Sequence, residues 1–163
     1  MAYIRIDYYK GIYGEISEQE FSNLSWEACR ILDVHTTGID NVKKLKAYFP
    51  TDEDDAELVK RCAAKLVNFL HKVQQAEAAA MEAHGFISTE NGMRGKVISS
   101  VSAGNESISY STGSGSATDI DAAVKSKSTR DRMAAEIVWE YLAGVTDSNG
   151  VNLLYMGRYP RVV

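Results

Sequence analysis

The 163-residue chain is 45% hydrophobic and 25% charged, and its 18 Lys and Arg against 22 Asp and Glu leave a net charge of -4. That composition fits one ordinary domain over residues 1–163 with enough apolar material for a core, and it lacks the overall basic surface that drives association with phosphate backbones. No apolar run approaches the roughly 20 residues of a bilayer span, and the N-terminal MAYIRIDYYKG has no signal-type apolar stretch, so no membrane partner and a reducing cytoplasmic origin are expected.

Tyr3, Ile4, Ile6, Tyr8 and Tyr9 alternate ahead of Gly11 and Gly14, which predicts an extended N-terminal segment ending in a turn. Ser17 then stands three residues before Glu20, the spacing of a capping box, and Phe21, Leu24, Ala28, Ile31 and Leu32 recur on one face; a helix is predicted from about 18 to 33. Ile39, Val42, Leu45 and Phe49 suggest a shorter helix stopped by Pro50. The longest element follows. Thr51 is its expected cap, Asp52 to Asp55 sit where the helix dipole favours negative charge, and Ala56, Val59, Cys62, Ala63, Leu66, Val67, Leu70 and Val73 form its stripe, with Gly85 as the stop. Cys29 and Cys62 both fall in apolar stripes and read as small buried hydrophobes.

After Gly85, FISTENGMRGK has no periodicity and reads as loop. VISSVSAGNESISYS then alternates on both sides of a turn-rich centre, so 96–111 is predicted to be a β-hairpin, and 112–118 a flexible linker. The last helix carries Met133, Ala134, Ile137, Val138, Tyr141 and Leu142 on one face; DIDAAVKSKS is either its first turns or a separate short helix. Leu153, Leu154 and Tyr155 extend the tail, which Gly157 and Pro160 break. The fold class expected is mainly α: a small helical bundle with a protruding β-hairpin arm and extended termini.

The hairpin raises the question of what it packs on. An isolated two-stranded hairpin is marginal in water, and its apolar residues, Val97, Ile98, Val101, Ile108 and Tyr110, are too few for a core. Its partner is therefore expected outside the chain, since strand edges pair readily with neighbours.

Catalytic patterns are lacking. His35, His71 and His84 have no partner at metal spacing, TGSGSAT lacks the Gly-Lys-Ser/Thr of a phosphate-binding loop, and there is neither a G-x-S-x-G elbow nor an H-E-x-x-H pair. DEDDAE lacks the ligand spacing of a calcium loop. No catalytic residue, metal ligand or cofactor is expected. The basic clusters KKLK at 43–46 and RDR at 130–132 fit solvated helix faces as well as they fit phosphate contact.

In order of features, YYKGIYG, a helix starting after ISEQEF, a long central helix, the hairpin type SVSAGNESISYS and the closing WEYLAGVTDSNGVNLLYMGR together resemble the head-tail connector proteins of tailed bacteriophages, also called head-completion or adaptor proteins. The resemblance implies a small bundle that is monomeric or oligomeric in solution and assembles as a ring of about twelve copies between the portal protein and a tail-side connector or stopper protein. It places the protein in the virion at the head-tail interface, after synthesis in the bacterial cytoplasm, with DNA only as passing cargo. By position, 97–110 is the arm that embraces a neighbour, and Leu153, Leu154, Tyr155 and Arg158 contact portal or tail. TDSNGVN departs from the family's pattern and affects the geometry of that terminal segment. The alternative is a small helical adaptor or regulatory domain that binds a peptide by strand addition to the same hairpin.

Overall fold

A computed structural model of the chain describes residues 3–83, 86–89, 92–95 and 119–160. Six helices make up most of it: α1 (Ile6–Tyr13), α2 (Glu18–Thr36), α3 (Lys44–Ala47), α4 (Glu53–Ala83), α5 (Asp119–Lys125) and α6 (Lys127–Leu142). At 31 residues, α4 is about 46 Å long and is the element on which α1, α2, α5 and α6 all pack. Its inner residues Val59, Cys62, Ala63, Ala64, Leu66, Val67 and Val73 are buried, against Ala28 and Leu32 of α2 and Ala134, Val138 and Leu142 of α6. None of these helices is long and apolar enough to cross a membrane.

Local chemistry accounts for the helix ends. The capping box forms as its spacing predicts, with the Glu20 amide donating to Ser17 Oγ and the Ser17 amide to Glu20 Oε2, each at 3.3 Å. At the start of α4 the cap is Asp52, not Thr51: Asp52 Oδ1 accepts from the amides of Asp54 and Asp55 at 3.1 and 3.0 Å. Ser126 is extended and its Oγ accepts from the Thr129 amide, so α5 and α6 are separate helices. Gly14, with φ at 92°, closes α1 in a conformation that a side chain would strain.

The expected fold class is corrected at three points. The N-terminal segment is a helix, because Ile6, Tyr9 and Tyr13 also stand at i, i+3 and i+7, and burying Tyr9 against Phe21 at 5.8 Å between rings outweighs the local alternation. No sheet layer supports a protruding arm: the one strand pair among the described residues is β1 (Phe86–Thr89) with β2 (Gly92–Gly95), on the stretch read as loop. The predicted hairpin at 96–111 and linker at 112–118 lie outside the described residues. Third, the C-terminal segment is a series of turns folded back on the bundle. Val145 and Leu153 are buried in it, Thr146 pairs with Asn152, and Gly150 turns at φ 75°.

The helix expected over 39–49 shrinks to the single turn α3. Asn41 adopts a left-handed φ of 59°, Thr37 pairs with Lys43 as an isolated bridge, and only Leu45 of the four expected stripe residues is buried. Ile39 is 78% exposed.

Candidate functional site: the exposed apolar faces and the C-terminal clasp

Two features stand out from the bundle. The first is a set of large apolar side chains on the surface. The stripe of α2 faces α4, and positions 26 and 34 fall off it, leaving Trp26 68% and Val34 57% exposed. Beside them an open groove of about 720 Å³ is lined by Trp26, Arg30 and Val34 of α2 and by Lys43 and Lys46. Asp33 is its only carboxylate; it accepts from Tyr3 Oη and pairs with Lys46 at 2.6 Å. On α6, Trp139 follows the buried Val138 by one residue, a turn of about 100°, and is 59% exposed.

The second feature is the clasp that holds the C-terminal segment. Lys44, read as part of a basic cluster facing either solvent or phosphate, is fully buried, and its Nζ donates to the carbonyl oxygens of Asn152, Leu153 and Tyr155. Burial pushes its pKa down, while Asp147 and Asp40 act in the opposite direction. Tyr159 completes the clasp. Its ring stacks on Tyr48 at 5.0 Å, its hydroxyl donates to Asp147 Oδ2 and accepts from Asn149 Nδ2, and its amide donates to Asp40 Oδ2. Burial and the bond to Asp147 push the Tyr159 hydroxyl up to about 12, and the Tyr159 amide holds the Asp40 carboxyl below its usual range.

The predicted contact residues are placed unequally. Leu153 is fully buried, so it belongs to the core and not to a contact surface, and Leu154 is half-buried. Tyr155 and Arg158 are exposed, and Met156 joins them at 50%. The arm residues Val97, Ile98, Val101, Ile108 and Tyr110 lie outside the described residues. Sequence reasoning missed Trp26 and Trp139, although the signal was present: each is a large aromatic off the apolar stripe of its own helix.

The titratable side chains serve mostly as ties between elements. Tyr8 donates to Glu57, Arg130 pairs with Glu77, Lys127 with Asp131 and Arg132 with Glu136, so all three RDR charges are engaged. His35 lines a second cleft, between α2, α4 and α6, where burial pushes its pKa down. Cys29 and Cys62 are buried free thiols, and desolvation raises the pKa of both. Among the described residues, no three His, Cys, Asp or Glu side chains converge as metal ligands.

Comparison with protein families, with curated proteins and with solved structures yields no match to this chain.

Proposed function

We propose that this chain is a structural virion protein of a tailed bacteriophage or prophage, one subunit of a head-tail connector ring that sits between portal and tail. The reading starts from the order of sequence features that resembles that family. The observation that carries it is the outward placement of Trp26, Val34, Ile39, Trp139 and Met156, all at least half exposed on elements whose other sides are packed. Leaving such a side chain in water forgoes roughly 1.5–3 kcal/mol of burial, and aromatic residues are enriched where proteins meet. They lie on α2, the α2–α3 loop, α6 and the C-terminal segment, which suits a subunit with neighbours on more than one side.

In this reading the protein works by shape and subunit pairing, without catalysis, and DNA passes through the ring as cargo. The test is electron microscopy of the full chain mixed with the portal complex encoded beside it and with tail-less capsids. Rings stacked on the portal are expected. An absence of association with either particle overturns the proposal.

A further inference from the structure

The turn at the head of the C-terminal clasp contains a reactive pair. Asn149 and Gly150 are both exposed, and Gly150 turns at φ 75°, a conformation that favours glycine at this position. A glycine after asparagine leaves its amide nitrogen unhindered for attack on the side-chain amide carbon. Among the described residues no other asparagine has that neighbour: Asn23, Asn41, Asn68 and Asn152 precede Leu24, Val42, Phe69 and Leu153. Asn91 also precedes a glycine and lies outside the described residues.

The same two residues hold the turn closed. Asn149 Nδ2 donates to Tyr159 Oη at 3.0 Å, and the Asn149 amide donates to Asp147 Oδ1 at 2.9 Å. The Gly150 amide donates to the Asp147 carbonyl and the Asp147 amide to the Val151 carbonyl, each at 2.9 Å. Attack requires the Gly150 nitrogen to give up the proton that it donates to Asp147, and the Asn149 side chain to leave Tyr159. Reaction therefore follows opening.

We infer that Asn149 is a deamidation site whose reaction is paced by opening of the clasp and leaves the clasp loosened. In the opened turn the Gly150 nitrogen loses its proton to solvent and attacks Asn149 Cγ. The new C–N bond closes a succinimide ring, the Cγ–Nδ2 bond breaks, and ammonia leaves. Water then opens the ring at one of its two carbonyls, giving aspartate or isoaspartate. Net, an amide and water become a carboxylate and ammonium.

Both products act on the clasp. Aspartate puts a carboxylate oxygen where Nδ2 donated, so the Tyr159 hydroxyl, whose proton already goes to Asp147 Oδ2 at 2.6 Å, meets a second acceptor with no proton left to give. Asp147, only 4% exposed, also gains a like charge beside it. Isoaspartate removes the same donor and lengthens the backbone of a turn that closes from Asp147 to Val151. This inference rests on the chemistry of the turn and is independent of the connector reading.

The experiment ages the full chain at mildly alkaline pH and maps its peptides, separating aspartate from isoaspartate at 149 and following Asn91 in its own peptide. Both products are expected at 149. Y159F frees the Asn149 side chain and should speed its conversion at least about fivefold, the worth of one hydrogen bond. N149D carries the product from the start, and trypsin should cut it after Arg158 faster than the parent by a similar factor, since cleavage follows the population of the opened segment. Ageing should raise that cutting rate in the parent and not in N149Q, whose longer side chain cannot close the same ring. Circular dichroism checks that each variant keeps its helices. Conversion at 149 no faster in Y159F than in the parent, or an N149D chain cut no faster than the parent, overturns the inference. So does an Asn149 that stays intact in Y159F over a time that converts it in the urea-unfolded chain.

Discussion

Lys44 Nζ donates to the Leu153 carbonyl oxygen at 2.9 Å, across 109 positions of sequence. The same ammonium serves Asn152 and Tyr155, so one side chain reaches three carbonyls of this turn, of which the Asn152 carbonyl also accepts from the Tyr155 amide. Lys44→Met keeps the apolar stem and removes the donors. It should cost roughly 2–3 kcal/mol, the scale of leaving buried polar groups unpaired, read as a lower urea midpoint at unchanged slope. A midpoint equal to that of the parent would mean that the turn holds its own shape.

Tyr159 ties the end of the segment through its ring and its hydroxyl. Its hydroxyl and that of Tyr8 both lie near 12 in the folded chain against 10.0 for the free side chain. A raised folded pKa means that the folded chain keeps these protons longer than the unfolded chain does. Their contribution is therefore complete below pH 10 and is lost as pH rises from 10 to 12. Denaturant unfolding at stepped pH should show that alkaline decline, and Y159F and Y8F should each flatten it. An alkaline slope unchanged by either variant would remove these bonds from the account.

Gly38 lies against the tail where the α2–α3 loop crosses it. A Cβ there would sit 2.5 Å from the Gly157 carbonyl oxygen, and the Ile39 amide donates to Met156 in the same crossing. Gly38→Ala should lift the tail from the bundle while the helices remain. Limited trypsin digestion should then cut after Arg158 much faster than in the parent, with little change in the far-ultraviolet circular dichroism. Equal cutting rates would show that the tail tolerates the added methyl.

The caps give a direct comparison. Ser17→Ala and Asp52→Ala should each cost about 1 kcal/mol in urea unfolding, because each removes a side-chain acceptor from free helix-start amides. Thr51→Ala should change stability by less than about 0.5 kcal/mol, since Asp52 accepts the bonds that a cap at Thr51 would take. A larger loss from Thr51→Ala than from Asp52→Ala would reverse the assignment.

What was legible in the sequence was the part governed by local periodicity. The stripes of α2, α4 and α6 and the Ser17–Glu20 box follow from 3.6-residue spacing and from the needs of helix-start amides, which neighbours in the chain can meet. The same spacing leaves Trp26 and Trp139 off their stripes, so the candidate interaction faces were legible in principle.

Tertiary structure alone decided the rest. The first segment carries a two-residue alternation and a helical spacing at once, and the burial of Tyr9 against Phe21 of α2 selects the helix. Four lysine and leucine letters, KLK with its preceding Lys43, look like one solvated patch. Yet Lys44 is buried, Lys43 is exposed and Lys46 is paired with Asp33, because the carbonyls that claim Lys44 come from residues 152 to 155. Sequence determines which residues can share a helix face, since that depends on near neighbours. Which buried polar group meets which depends on chain segments that only folding brings together.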